Sequence, residues 1–282
     1  MTELGRHPTP PGWFPDPHGG AALRYWDGLQ WTAGTALPQG STQPRPSSIP
    51  KPPIPTLPIQ AGIAAIVATA ASLILSRLLV QSLVHFRWPI AVYSAIAAVV
   101  GYGPILVACV AISNRWGTAH LRNDLGVYGR RVDLGWGPVT WLACFAAQVV
   151  AAIIVISTNL PFESNTEGLS DRAGDRAFIL SFALIGVICA PVIEELVFRG
   201  VLMRSLLSRA PVWLALGLQG ILFGAAHIDP ARGAKNIGLV VVLSAVGVVL
   251  GGASYLFRRL TPSMIAHAMI NSIALVVILV TG

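Results

Sequence analysis

The chain has 282 residues, of which 54% are apolar and only 11% carry a charge, and its mean hydropathy is +0.67. Ordinary soluble domains have about 25% charged residues, so this composition excludes that class and predicts an integral membrane protein. The net charge of +7 does not indicate a nucleic-acid partner, because no basic cluster accompanies an RNA- or DNA-binding motif.

Residues 1–36 are polar and aromatic and precede the apolar part of the chain. Asp27 and Gly28 form a strong turn signal between aromatic residues, which predicts a small aromatic β-hairpin module. Residues 12–17 (GWFPDP) and 26–31 (WDGLQW) resemble the signature of a small domain of unknown function that is found at the N-termini of many bacterial membrane proteins. The resemblance implies no activity, so we interpret the module as an interaction or membrane-proximal unit with an unknown ligand.

Residues 37–58 contain eight prolines among Ser, Thr and Gln. Such a composition disfavours both helix and sheet and is typical of an extended, largely disordered linker. We therefore expect the linker to tether the small module without fixing its position.

From residue 59 onward the sequence contains seven apolar segments, each long enough or nearly long enough to cross a bilayer. The fifth is short, and a re-entrant eighth element within 204–236 is compatible with the sequence. We predict an all-α polytopic membrane domain over 59–282, a bundle of about seven to eight transmembrane helices. The segments cover about 59–80, 89–112, 135–157, 177–203, 211–227, 237–257 and 262–280.

Basic residues are distributed unevenly among the connecting loops. Loops 113–133, 204–210 and 258–261 hold eight arginines between them, whereas loop 158–176 holds two arginines against four acidic residues. Arginine-rich loops stay on the cytoplasmic side of a membrane. The sequence therefore predicts a multi-pass protein of the cell membrane with a cytoplasmic N-terminus and an outside C-terminus.

Two glutamates and an arginine interrupt the fourth apolar segment, in the run 190–200 (APVIEELVFRG). Each ionised group near a bilayer centre costs about 2.5–3.5 kcal/mol, so these groups must be paired, hydrated or functional. Glu195 and Arg199 are four residues apart and can form an ion pair on one helix face, which could simply hold the bundle together. Glu194 points about 100° away and has no partner in its own helix. Pro191 removes a backbone N–H and predicts a kink one turn before the acids.

Later apolar segments carry further polar side chains. Phe223 and His227 are four residues apart, as are His267 and Asn271, so each pair shares a helix face. Measured from the predicted cytoplasmic segment ends at ~1.5 Å per residue, Glu194 lies ~14 Å deep, His267 ~8 Å and His227 ~24 Å. These side chains can therefore meet only if the fifth segment starts outside the membrane or if 204–236 has a different topology.

Hydrolysis of a peptide bond is the chemistry that needs this set. Glu194 with His227 can take a proton from water, and His267 with the Asn271 amide can donate hydrogen bonds to an oxyanion. The alternative role for these residues is to bind zinc, because Glu194, His227 and His267 would supply two histidines and one carboxylate as ligands. The His-Glu-x-x-His spacing that makes zinc binding readable from sequence is absent, and the choice stays open.

The motifs Glu-Glu-x-x-x-Arg, Phe-x-x-x-His and His-x-x-x-Asn, in this order within apolar helices, resemble the CAAX-protease and bacteriocin-processing (CPBP/Abi-type) family of intramembrane endopeptidases, over roughly residues 135–280. Both glutamate-dependent and metallo-type descriptions of that family exist, so the resemblance implies either no cofactor or a divalent metal such as zinc. The implied roles are water activation by Glu194 and His227, oxyanion stabilisation by His267 and Asn271, and support of the site by Glu195, Arg199 and Phe223.

The resemblance also implies the class of substrate. Eukaryotic members of that family cleave prenylated cysteine tails, and bacterial relatives are linked to bacteriocin maturation and self-immunity. We expect a membrane protein or lipidated peptide as substrate, with the lipid bilayer as the other partner. The alternative is a non-catalytic scaffold, immunity protein or small transporter whose polar residues line a cavity.

Small residues in the apolar segments have simpler interpretations. The spacing of Gly247 and Gly251, with Gly252 beside them, predicts a close helix-packing face. The three cysteines, which are not arranged as a Cys-x-x-Cys pair, are expected to be small core residues without a disulfide. These cysteines are Cys109, Cys144 and Cys189.

Overall fold

The computed structural model describes residues 10–19, 23–36, 54, 56–166, 169, 171 and 173–281. The chain divides into two compact units, Met1–Pro53 and Ile54–Gly282. Most of the linker predicted at 37–58 lies outside the described residues, so its disorder stays a prediction.

The first unit contains a three-stranded antiparallel sheet in the order β1-β2-β3. The predicted hairpin is confirmed as the β2–β3 pair, and β1 adds a strand that the sequence did not indicate. The strands are β1 (Gly12–Pro15), β2 (Leu23–Trp26) and β3 (Trp31–Ala36).

The hairpin turn forms for the reason that its sequence indicates. The Asp27 carboxylate accepts hydrogen bonds from the backbone N–H groups of Leu29 and Gln30, at 2.8 and 2.7 Å. Gly28 adopts a φ of 101°, which favours glycine because it has no Cβ. The Trp26 and Trp31 rings then meet across the strands at 5.2 Å, which gives this small sheet an aromatic contact in place of a large core.

The second unit is helical, and six of its described helices are long and apolar enough to cross a membrane. The polytopic helical fold predicted from the sequence is thereby confirmed. The fifth apolar segment forms α6, a helix of 14 residues and so about 21 Å long, which is shorter than a bilayer core of about 30 Å. The helices are α1 (Ile59–Leu83), α2 (Ile90–Trp116), α3 (Leu121–Asp124), α4 (Asp133–Ser157), α5 (Arg176–Leu206), α6 (Val212–Ala225), α7 (Asn236–Phe257) and α8 (Thr261–Thr281).

Helix α5 changes its hydrogen-bond pattern twice around the two glutamates. The central α-helical stretch Ala190–Glu195 lies between two π-helical stretches, Ala183–Cys189 and Leu196–Leu202. Pro191 is the second residue of the central α-helical stretch, directly after the first π-helical stretch, and the kink predicted there stays a prediction. Wide π-turns are rare and occur frequently at functional sites, so α5 is the helix in which a site is expected.

Helices α6 and α7 approach closely because glycines line their contact. A Cβ at Gly220 would lie 3.0 Å from two backbone atoms of α7, and a Cβ at Gly247 would lie 2.9 Å from the Gly220 Cα. A Cβ at Gly251 would clash with the Gln219 amide, whereas one at Gly252 would meet no atom within 4 Å. The predicted packing face is therefore confirmed for Gly247 and Gly251 and wrong for Gly252, which faces away from α6. The three cysteines are free, as expected.

Two buried carboxylates fasten one end of the bundle. Asp133, at the start of α4, pairs with Arg259 in the turn before α8. Asp124 is 3% exposed and accepts hydrogen bonds from the Ser113 hydroxyl at 2.6 Å and from the Thr118 N–H at 2.9 Å. The first contact ties the start of α4 to the turn before α8, and the second ties the short helix α3 to the end of α2.

At the opposite end, the segment 158–166 is held against the start of α7. The Lys235 ammonium donates to the Glu163 carboxylate at 2.7 Å, and the Arg232 guanidinium donates to the Ser164 carbonyl. Segment 158–166 is thereby fixed against the residues that precede α7.

The close contact between α6 and α7 predicts different effects for two glycine substitutions in α6. Gly220→Ala places a methyl group against the α7 backbone, and overpacking of this kind costs about 1–3 kcal/mol. Gly217→Ala lies on the same helix and meets no atom within 4 Å, so it gains helix propensity without a clash. We expect thermal unfolding in detergent to show a lowered Tm for Gly220→Ala and an unchanged or raised Tm for Gly217→Ala. Equal Tm values for the two variants would contradict the packing.

The Asp124 contacts predict a pH dependence. Burial raises the pKa of Asp124, but hydrogen bonds from Ser113, Thr118 and His120 lower it more, so it lies below its ordinary value of 3.8. A depressed carboxyl pKa stabilises the fold above the unfolded-state pKa, and this contribution is lost as the pH falls through the folded-state pKa. Asp124→Asn should lower Tm at pH 7, with a difference from wild type that shrinks below about pH 4. The same difference at pH 7 and pH 3 would argue against this role.

Candidate active site

The site is built on a buried ion pair within α5. The Arg199 Nη1 donates to the Glu195 Oε1 at 2.7 Å, and both side chains have no exposed surface. The predicted i, i+4 pair is therefore confirmed. A charge-assisted contact of this length offsets part of the cost of burying both groups.

The same Glu195 oxygen also fixes an imidazole on α8. His267 Nδ1 lies 3.2 Å from Glu195 Oε1, so the ring donates from Nδ1 to an oxygen that already accepts from Arg199. A proton at Nδ1 leaves the other ring nitrogen, Nε2, turned toward Glu194. Glu195 thus orients His267 rather than only pairing with Arg199.

The second imidazole is oriented by the backbone of α6. His227 lies just beyond the last residue of that helix, and its Nδ1 is 2.8 Å from the Phe223 carbonyl. Because a carbonyl oxygen only accepts, Nδ1 carries the proton and donates it. His227 therefore also presents Nε2 to the interior.

Both imidazoles converge on one oxygen of Glu194. The Glu194 Oε2 lies 3.7 Å from His267 Nε2 and 3.9 Å from His227 Nε2. This oxygen is buried, and it has no hydrogen-bond partner among the described residues. The separations exceed a direct hydrogen bond but leave each nitrogen within reach of one shared water.

The depth mismatch expected from the sequence does not occur. Phe223, near the far end of α6, packs with its ring centroid 4.3 Å from the Arg199 guanidinium and 5.6 Å from the His267 ring. The end of α6 therefore lies level with the middle of α5, which the sequence could not show because segment depths were counted from assumed membrane boundaries. Phe223 is buried, and its ring also lies 4.9 Å from the His227 ring, measured between centroids.

Asn271, one turn beyond His267 on α8, contacts the first π-helical stretch of α5. Its Nδ2 donates to the Gly186 carbonyl at 2.6 Å. A carboxamide nitrogen has two hydrogens, so one donor of Asn271 remains for another acceptor. Asn271 lines the same cavity as Glu194 and His267.

The converging side chains face a cavity of about 460 Å³. Its walls come from α4, segment 158–166, α5, α6, α7 and α8, and most of them are apolar. The exposed fraction of the Glu194 side chain is 22%, of His227 23% and of His267 6%. The polar groups therefore lie at the inner wall of a largely apolar cavity, an arrangement typical of ligand sites.

A zinc site is the alternative use of Glu194, His227 and His267. Two imidazoles and a carboxylate have the right chemistry for a catalytic zinc. Among the residues that the structure describes, however, no group of three or more His, Cys, Asp or Glu side chains is arranged to hold a metal ion. The proposed reaction therefore uses side chains and water, and metal removal is a separate test of the same residues.

Sequence reasoning missed two glutamines that contribute to this region. Gln219 on α6 is fully buried, and its Nε2 donates to the Gly247 carbonyl at 2.8 Å; the Arg199 Nη2 donates to that same carbonyl at 3.1 Å. Gln148 on α4 lines the cavity. A carboxamide inside an apolar segment was the available signal for both residues.

Comparison with known proteins supports the resemblance drawn from the motifs. Residues 176–273 match the family model of the type II CAAX prenyl endopeptidases, Rce1-like, a range that contains every candidate site residue named from the sequence. Residues 11–47 match the model of a protein family of unknown function, DUF2510. No curated protein and no solved structure matches the chain. Both recognitions made from the sequence are confirmed at the level of these families.

The buried pair predicts how two substitutions combine. Arg199→Met leaves Glu195 in the interior without its guanidinium, which costs about 3–5 kcal/mol. The double change Glu195→Leu with Arg199→Met removes both charges, and most of the lost stability should return. Thermal unfolding in detergent measures both effects, with Arg209→Met, at an exposed arginine, as the control. A double variant no more stable than Arg199→Met would contradict the pairing.

Proposed function

We propose that the chain is an intramembrane endopeptidase that hydrolyses a peptide bond in a membrane-associated protein or lipidated peptide. The observation that carries the proposal is the convergence of two imidazole Nε2 atoms on the Glu194 Oε2, at 3.7 and 3.9 Å, beside a cavity between the helices. The match of residues 176–273 to prenyl endopeptidases supports the same reaction class.

The three converging atoms favour a water molecule as the shared ligand. With Nδ1 protonated on both rings, His227 and His267 offer lone pairs at Nε2, and ionised Glu194 offers lone pairs as well. Three acceptors around one point require protons between them. A water that donates to Glu194 and His227 supplies two, and these are the groups proposed to remove its proton as its oxygen attacks the carbonyl carbon.

A further proton on His267 Nε2 would supply the third acceptor atom with a hydrogen. The cluster holds two carboxylates and one guanidinium, so an imidazolium at His267 balances its charge, with Nδ1–H directed at Glu195. The Nε2–H of that imidazolium and the unused N–H of Asn271 would donate to the oxyanion that forms when the substrate carbonyl is attacked. Donors of this kind contribute about 2.7–4 kcal/mol each to the transition state.

Collapse of the tetrahedral intermediate completes the reaction. The carbon–oxygen double bond re-forms, the carbon–nitrogen bond breaks, and the proton taken from water passes from the Glu194–His227 pair to the leaving amine nitrogen. The products are one new carboxylic acid, which keeps the second proton of the water, and one new amine; the acid then passes that proton on, which gives a carboxylate and an ammonium group. No other reactant is required.

The apolar cavity walls indicate the type of substrate. A cavity lined mostly by apolar side chains and enclosed by membrane helices favours a segment that partitions into lipid over a soluble peptide. The family whose model matches residues 176–273 is described as prenyl endopeptidases. We therefore take a prenylated peptide reporter as the first substrate to test.

The central experiment is cleavage of that reporter by the purified full-length protein in nanodiscs. Glu194→Gln and His227→Ala each remove a proposed proton acceptor, and general-base groups contribute about 10²–10⁴-fold, so kcat should fall at least about 100-fold. His85→Ala, an exposed histidine between α1 and α2, is the matched control and should cleave as wild type does. Cleavage by Glu194→Gln at the wild-type rate would contradict the proposal. If neither the wild type nor any variant cleaved the reporter, the assignment to the endopeptidases would be contradicted.

Metal removal tests the remaining alternative for the same residues. The proposed reaction uses only side chains and water, so we expect prolonged treatment with a strong chelator to leave the cleavage rate within about twofold of the untreated protein. Loss of activity that returns with added zinc, and not with magnesium, would overturn the metal-free form of the proposal.

A further inference from the structure

Gln148 is the one carboxamide on helix α4, which is otherwise apolar through its central turns. Its side chain is half-buried, and it makes no hydrogen bond to any residue that the structure describes. A carboxamide in a membrane-spanning helix loses its water partners on insertion, so its donors and acceptor require another partner.

The position of Gln148 connects it with the candidate site. It lines the cavity of about 460 Å³ together with Glu194 and His227. On α4 it follows Trp141 and Phe145, which line the same cavity, at the spacing of one helix face. Gln148 therefore faces the space in which the proposed substrate would lie.

Gln148 also lines a second, neighbouring cavity of about 560 Å³, which extends along the last turns of α4 past Val155 and Asn159. Among the residues that the structure describes, it is the one that lines both cavities. A polypeptide that occupies both spaces passes beside its side chain.

A peptide inside these cavities has the same requirement as Gln148. Each main-chain N–H and C=O that leaves water needs a partner in the protein, because an unsatisfied backbone group is costly to bury. A carboxamide has one acceptor and two donors, so it can accept from a peptide N–H and donate to a peptide C=O at the same time. Asn271 offers less for this purpose, because one of its donors is already used by the Gly186 carbonyl.

We propose that Gln148 is a substrate-binding residue that holds the main chain of the peptide at the junction of the two cavities, away from the reacting bond. This inference rests on the proposed endopeptidase function and adds to it a binding contact on α4. Gln148 takes no part in proton transfer, so its loss should weaken substrate binding and leave the chemical step nearly unchanged.

The test uses Gln148→Met, which keeps the length of the side chain and removes its hydrogen bonds. In the nanodisc assay with the prenylated reporter, we expect KM to rise about tenfold and kcat to stay within about twofold of wild type. Gln148→Asn, which keeps a shorter carboxamide, should recover part of the loss. The matched control is Gln81→Met, the same change at an exposed position on α1, and its KM should equal that of wild type.

A binding measurement separates affinity from turnover. In the Glu194→Gln background, fluorescence anisotropy of a dye-labelled reporter should show about tenfold weaker binding when Gln148→Met is added. Unchanged binding and KM, or a fall in kcat with unchanged KM, would overturn the assignment of Gln148. A wild-type protein that does not cleave the reporter, or that cleaves it no faster than Glu194→Gln, would instead show that the endopeptidase function itself is wrong.

Discussion

The contact on which the rest of the site depends is the buried interaction of Glu195 with Arg199. Two ions without exposed surface are tolerated inside a membrane protein when each faces an opposite charge and hydrogen bonds offset part of the cost of burial. One oxygen of Glu195 accepts from both Arg199 and His267, whereas its other oxygen makes no hydrogen bond to a described residue. Because these partners occupy Glu195, the neighbouring Glu194 is the acid left to face the cavity.

The packing of α6 against α7 also stabilises the Glu195–Arg199 pair. Gly247 lies against Gly220, and a side chain at either position would push the helices apart. The close approach brings the Gly247 carbonyl within hydrogen-bond distance of both Arg199 and Gln219. A small-residue contact that is common between membrane helices therefore also supplies an acceptor for the buried guanidinium.

Much of the fold follows from local sequence patterns. The apolar segments, the Asp27–Gly28 hairpin turn and the Glu195–Arg199 pair depend on residues that are near one another in the chain, so spacing and composition were sufficient to predict them. Strand β1 was missed, because its pairing with β2 has no turn signal as strong as Asp-Gly.

The site itself could be predicted as a set of residues but not as a geometry. The motif spacings placed His267 and Asn271 on one face, but the level of α6 relative to α5 depends on the packing of Phe223 against Arg199, which segment boundaries cannot give. The π-helical stretches of α5 have no comparable sequence signal. Gln148 was missed because a single amide in an apolar run does not show which side of the helix faces a cavity.

An electron cryomicroscopy map of the full chain in nanodiscs, at a resolution that shows side chains, tests the central claim most directly. The account predicts that the Glu194 carboxylate lies within about 4 Å of both His227 and His267 Nε2, with density for one solvent molecule in contact with all three. A Glu194 side chain directed toward lipid, or separated from both imidazoles by more than about 10 Å, which is roughly two helical turns, would contradict it.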